Sequence, residues 1–492
     1  MKEIQQLLNQ TVIYGLSSVL ARVLNFLLVP LYTILFIPSE YAVVTEMYAY
    51  AAFLIVIGCF GMETTFFRFS ELNKKLKTLS TAFSFLCFNA TLLVLIGSFF
   101  YQDIAKIIRH TNNPEYVLFF IVIVALDLLA IIPFAFLRHQ NKAVKFAIIK
   151  TINIVINIGG NIFFLILCPY LIRKGVFTEA LEIIYNPSIS VGYVFLSNLI
   201  ASLVTLLLLT KEIGAAFAWP NFKLFKNMLH YAWPILLGGC AFIINENIDK
   251  ILLKYLLPGG IAMRELGIYS ACYKLTIFMT LFVQAYRFAA EPFFFNQFYK
   301  PNAKNIYATM MQLFVLYSLY IFLAVVLYVD LIKLIIPNQL YHEGVIIIPI
   351  VLFANVCLGM YYNLSVWYKV TNRTEYAAII SGIGAIITIA LNILLIPLCG
   401  YVGAAWTTLI CYLSMTLLSY YFGQKYFPIN YNHKIIGRYF LIAFSFFFLS
   451  SLSDTEIVNN IQIDNTVLFA IYSIFIYSQT KKILKSKDLS FS

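Results

Sequence analysis

The chain has 492 residues, 61% of them hydrophobic and only 11% charged, with a mean hydropathy of +0.85 and a formal net charge of +12. No soluble core absorbs that much apolar surface, so composition excludes a water-soluble domain and indicates an all-α integral membrane protein of many spans. The basic excess is therefore weighed against membrane topology before nucleic acid is considered as a partner.

A bilayer core of about 30 Å needs roughly 20 apolar residues per helix. About fourteen segments qualify: 11–36, 41–62, 79–101, 116–138, 146–172, 189–210, 231–256, 267–290, 307–336, 344–366, 376–398, 401–422, 439–453 and 464–480. The opening is short and polar and lacks a small-residue cleavage site before the span with Arg22 and Pro30, so it reads as a first membrane helix and not as a removed signal. Arg22 stands near mid-span, and its five fixed donors suit phosphate oxygens. Glu46 in the second span and Asp127 in the fourth are intramembrane carboxylates. Each reads as a proton or coupling-ion site, or equally as the counter-ion of Arg22. Pro30, Pro133 and Pro349 predict bends, because each removes a backbone hydrogen bond.

Charge is densest within 231–295, where two spans carry Glu246, Asp249, Lys250, Lys254, Lys274, Arg287 and Glu291. An ionised side chain at mid-bilayer costs about 2.5–3.5 kcal/mol, so these groups should face protein or a water-filled cavity. At about 100° per residue, positions 246, 249, 250 and 254 share one helical arc opposite Ile243, Ile244, Ile251 and Leu252. Glu246 can pair with Lys250, yet Lys250 and Lys254 are also four apart and repel unless an anion lies beside them. Lys254 is near enough to the outer end to snorkel. Lys274 should lie about 10 Å into its helix, too deep for that. Arg287 and Glu291, four apart, read as a local ion pair as readily as a substrate contact.

Counting Lys and Arg in alternate connections gives 22 on one side, including Lys2, against 5 on the other. Both termini are therefore expected in the cytoplasm, and nucleic acid is not needed to explain the charge. None of the connections is long enough for a soluble domain. The eight cysteines show no metal-like spacing and read as buried thiols, and the five histidines fall in loops or at helix ends with no role assigned. No phosphate-binding Gly-rich loop, catalytic triad or hydrolase motif stands out, so neither an enzyme nor a resident cofactor is expected.

An internal repeat is visible. Gly61-Met62-Glu63 at the end of the second span resembles Ala289-Ala290-Glu291 in the eighth, Asn161 and Pro169 resemble Asn392 and Pro397, and Val191-Gly192 resembles Val402-Gly403. The falling offset between copies fits an insertion near 173–190. The expected organisation is two parallel six-helix lobes around a central cavity, 1–215 and 216–424, followed by two extra helices and a basic tail over 425–492.

Several of these pieces together resemble bacterial polysaccharide flippases of the multidrug/oligosaccharidyl-lipid/polysaccharide exporter superfamily. They are Tyr14-Gly15 to Pro30-Leu31-Tyr32-Thr33, the run Gly61 to Phe69, Ile248-Asp249-Lys250-Ile251-Leu252, Gly267-Ile268-Tyr269-Ser270 and Tyr286-Arg287 to Phe294. The resemblance covers about residues 1–421. It implies alternating access in the bacterial inner membrane and outward movement of an undecaprenyl-pyrophosphate-linked oligosaccharide. It also implies a cavity arginine at the position of Arg22. Arg22, Lys250, Lys274, Arg287 and Lys254 are then the candidate substrate cations. Glu46, Asp127, Glu246, Asp249 and Glu291 are the candidate coupling or counter-ion carboxylates, with H+ or Na+ as the coupling ion. The partners expected are membrane lipids and other polysaccharide-assembly membrane proteins, with the chain itself a monomer. A drug or metabolite antiporter on the same scaffold would favour a carboxylate-dominated cavity. A membrane glycan polymerase would carry a long external loop, which the sequence lacks.

Overall fold

A computed structural model describes residues 19–20, 22–72, 75–298, 300–453 and 465–485; the predicted first span begins outside these, Tyr14-Gly15 included. The described residues are helical throughout, with turns between and no strand. In lipid only a helix or a closed barrel satisfies every backbone N–H and C=O, and runs this apolar take the first solution. Among the described residues, nine helices are long and apolar enough to cross a membrane, or up to eleven if each of two bent pairs counts as one span. The protein is an all-helical, multi-pass membrane protein.

The chain divides into two compact units, one ending at Ile251 and the other starting at Leu252. The first unit opens with α1 (Leu28–Leu35) and α2 (Pro38–Cys59). Pro38 supplies a preset first turn, and the Glu40 carboxylate accepts the Ile37 N–H at 3.1 Å, which fixes where α2 begins. Phe60 and Gly61, both with positive φ, end it and turn the chain into α3 (Met62–Leu72). A Cβ at Gly61 would stand 2.9 Å from Ile235, so only glycine allows this approach. Next come α4 (Lys75–Ile107), α5 (Glu115–His139) and α6 (Ala143–Ile162). A π-helical turn over Phe163–Leu167 precedes α7 (Cys168–Arg173), where Pro169 has no N–H to give.

The predicted insertion near 173–190 holds a short helix, α8 (Thr178–Ile184), and the segment Thr178–Ile189 meets α9 (Gly192–Leu208) at 115°. After α10 (Thr210–Ala216), the long α11 (Phe222–Leu256) runs unbroken through the unit division. The start of α11 is built into the first unit. Met228 and Ala232 are buried in one cluster with Met62, Phe66, Leu79, Phe83 and Ile132.

The second unit continues with α12 (Gly259–Lys274), α13 (Ile277–Gln297), α14 (Ala303–Leu327) and a short α15 (Val329–Ile332). Then follow α16 (Ile347–Leu364), α17 (Val366–Val370) and α18 (Glu375–Tyr426). α18 holds two of the predicted spans, divided at Gly400, whose φ of 57° and ψ of −140° break the helix. The Glu265 carboxylate accepts the N–H of Tyr401 at 3.2 Å, in the space a side chain at 400 would fill. The last two helices, α19 (His433–Ser453) and α20 (Asn465–Lys485), pack on α14. Tyr320 stacks on Phe469, and Phe322 meets Phe444 and Phe447 edge to face.

Helices in lipid gain nothing from hiding apolar surface, since the acyl chains are equally apolar; packing and buried hydrogen bonds hold them. The repeated asparagines are examples. Asn161 and Asn392 are both fully buried, and each donates to the carbonyl four residues back, Asn157 and Thr388, at 2.8 and 2.9 Å. Asn161 also accepts from the Tyr32 hydroxyl at 2.9 Å, tying α1 to α6.

Candidate functional site

In the first unit, Arg22 is exposed, as is Asn25 one turn on. The unit's two intramembrane carboxylates bond elsewhere. Glu46, fully buried in α2, lies 2.9 Å from His110 Nε2 in the loop after α4. Asp127 on α5 accepts from the Ser202 hydroxyl on α9 at 2.8 Å. Lys150 on α6 is close enough to Asp127 for their charges to act on one another, and its ammonium sits 4.3 Å above the Phe134 ring. Next to this group Asn153 donates to Thr205 at 2.9 Å, so a polar seam joins α6 to α9.

Sequence reasoning passed over both His110 and Lys150. His110 is in a loop 64 residues from its partner, and no local signal marks it. Lys150 carried a signal that sorting lysines by connection obscures, namely a charge placed within the predicted fifth span.

In the charged arc of α11, Asp249 is buried, while Glu246 and Lys250 are half-buried, as are Ile243 and Ile244 opposite. Lys250 bonds back onto its own helix. Its ammonium donates to the Glu246 backbone carbonyl at 2.8 Å and to Asn247 Oδ1 at 3.1 Å. Asp249 Oδ1 is 3.8 Å from that ammonium and accepts the Lys250 backbone N–H at 2.9 Å. A carboxylate, an amide and a carbonyl thus hold one ammonium against its own helix.

In the second unit, Lys254 is buried at 3% exposure, so it does not snorkel as its position near the helix end predicts. Lys274 is exposed and sits at the last position of α12, where the chain bends by 52° into α13. The predicted eighth span covers 267–290; the helix instead starts at Gly259 and breaks at Leu275-Thr276, where Thr276 Oγ1 donates to the Tyr273 carbonyl at 2.8 Å. Arg287 does pair locally, Nε to Glu291 Oε1 at 3.0 Å, and stacks 4.6 Å above Tyr362. Lys369 from α17 takes the same Glu291 oxygen at 2.6 Å, so two cations share one carboxylate. All eight cysteines are unbridged, and no group of His, Cys, Asp or Glu among the described residues has the geometry of a metal site.

A family model described as polysaccharide biosynthesis protein matches residues 7–298. No curated protein sequence matches the chain. Among solved structures, the lipid II flippase MurJ in an inward closed conformation is similar with a TM-score of 0.72 at 15% identity, covering 96% of this chain and 100% of that one. An inward-facing multidrug resistance MATE family transporter of the MOP superfamily is similar with a TM-score of 0.61 at 11% identity, covering 84% and 94%. A point variant of the Vibrio cholerae MATE transporter VcmN is similar with a TM-score of 0.55 at 14% identity, covering 86% and 96%.

Proposed function

The chain belongs to the polysaccharide biosynthesis protein family, and from that premise we propose that it is a flippase for undecaprenyl-pyrophosphate-linked oligosaccharide. In this reading the glycan and diphosphate cross from the cytoplasmic to the outer leaflet of the bacterial inner membrane by alternating access. The protein performs no chemistry on its cargo. Both termini lie in the cytoplasm, as the basic connections favour.

The observation that carries the reading is the exposure of Arg22 and Lys274 on helices of a membrane-crossing bundle. A cation bare to acyl chains at mid-span costs several kcal/mol, so the surface around such groups is hydrated, and an anion is the group that gains from it. Arg22 supplies a planar fork for phosphate oxygens, and Lys250, with its ammonium folded on α11, supplies a point charge. Arg287 and Lys254 add positive charge to the same stretch of sequence. Direction requires that the two states bind the cargo differently, and proton or sodium uptake at an intramembrane carboxylate such as Asp127, Glu46, Glu246, Asp249 or Glu291 supplies it. The likeness to MurJ, a lipid II flippase by its own description, agrees with a cargo of this chemical class.

A drug or metabolite antiporter is the second reading, favoured by the likeness to MATE transporters. One experiment separates the two. Full-length protein in sealed vesicles is given a fluorescent undecaprenyl-pyrophosphate oligosaccharide in the outer leaflet, and its loss of accessibility to a membrane-impermeant quencher is followed. Translocation is expected for the wild type and is lost in a combined Arg22→Ala, Lys250→Ala, Lys274→Ala variant. Unchanged translocation by that variant removes the site assignment. Absence of translocation, with exchange of a cationic dye for protons instead, removes the flippase.

A further inference from the structure

A second cationic site is built from none of these residues. At the end of the first unit where α5 stops, α6 starts and α10 follows α9, there is a cavity of about 620 Å³. Lys142, Lys145, Lys211 and Glu212 line it together with Gln140, over a floor made by Leu76, Phe136 and Ala215. Lys145 is committed, since its ammonium lies 2.7 and 2.8 Å from the two oxygens of Glu212, which is itself buried. That pair fixes one wall and cancels one charge. Lys142 and Lys211 are exposed and leave the cavity with a formal charge of +2.

The cavity thus joins two ammonium groups with an apolar floor, at the level where membrane helices end. Basic recesses between membrane helices at that level suit phosphate-bearing lipid headgroups.

We infer that this cavity is a binding site for the headgroup of an anionic phospholipid. The phosphate sits between Lys142 and Lys211, and the glycerol backbone rests on Leu76 and Phe136. The occupant comes from the bilayer and not from solution, because the apolar floor matches a glycerol ester and gives nothing to free phosphate. The site is separate from the cargo-binding cations and does not depend on what the protein transports.

The test is native mass spectrometry of the full-length protein in detergent, titrated with phosphatidylglycerol and, separately, phosphatidylcholine. The wild type is expected to bind one phosphatidylglycerol about tenfold or more tightly than phosphatidylcholine, each lysine contributing roughly a factor of five. Lys142→Gln with Lys211→Gln should erase the preference. A control removing the same charge nearby, Lys223→Gln with Lys226→Gln, should keep it. Both double variants alter exposed side chains, so a single monodisperse peak and an unchanged melting point certify the fold. Equal loss in the control, equal binding of the two lipids, or displacement of the lipid by millimolar inorganic phosphate would each overturn the proposal.

Discussion

The helices before α11 and the stretch from Asn245 to Glu291 both hold charge inside a membrane protein, and they do so with different kinds of bond. Before α11 the partners are distant in sequence: Glu46 reaches His110 across 64 residues and Asp127 reaches Ser202 across 75. In the later stretch local bonds also appear, as Lys250 turns back on the preceding turn of its own helix and Arg287 meets Glu291 four residues on, although Glu291 also takes Lys369 from 78 residues away. A bond between two helices cannot change without moving one of them against the other. A bond within one helix travels with it and leaves the cation free to exchange its partner for a ligand. The first kind is suited to holding a unit together, and the second to a group that must bind and release.

The comparison breaks most sharply at Asp127. Its replacement by leucine takes away the acceptor of Ser202 and the larger of two carboxylate attractions on the Lys150 ammonium, which should cost about 3 kcal/mol. Thermal unfolding in detergent should show a large drop in midpoint, and adding Lys150→Leu should recover most of it. A single variant as stable as the wild type would mean that this seam does not hold α5, α6 and α9 together. Glu46→Ala should cost less, about 2 kcal/mol, because His110 belongs to a loop and can turn toward water once its partner is gone. Glu46→Gln, which can still bond the ring nitrogen, should lie close to the wild type in the same assay. Equal loss for the alanine and glutamine variants would show that the charge on Glu46, and not the bond, is what matters.

The same contrast explains how far the sequence could be read. Hydropathy runs set the helices, and the predicted break between two spans near 400 is seen at Gly400, because apolar length and a positive φ are local properties. The pairing of Arg287 with Glu291 was legible as a four-residue spacing, while the addition of Lys369, 78 residues away, was not. The fate of Lys254 also turned on distant packing: nearness to a helix end favours snorkelling, yet the side chain is buried. The packing of Met228 and Ala232 with α3, α4 and α5 was not legible either, because such contacts leave no mark in the sequence of α11.

Smaller effects on stability should accompany larger effects on transport in the later stretch, and that sharpens the comparison. Lys250→Ala removes two hydrogen bonds made within one helix, so the melting point should shift by less than about 1 kcal/mol equivalent. Translocation in the vesicle assay should nevertheless fall by on the order of tenfold, the worth of one charge-assisted contact to phosphate. A variant that melts early and transports normally would reverse the assignment and make Lys250 a structural group.

The least change is expected at Glu291. Its side chain is 36% exposed, and it serves Arg287 and Lys369 at 44% and 25%, so water already screens both pairs. Glu291→Gln should cost only about 0.5 kcal/mol by thermal unfolding. Arg287 keeps its stacking on Tyr362 without the carboxylate, which holds the guanidinium in place while raising the local charge by one. If Arg287 binds the diphosphate, that added charge should raise affinity for the cargo and slow its release, so that translocation slows under saturating lipid although the protein is as stable as before. If Arg287 only braces α13 against α17, binding stays as it was and the small loss of stability is the whole effect. Cargo affinity measured beside the melting point therefore distinguishes a local pair that works from one that merely packs.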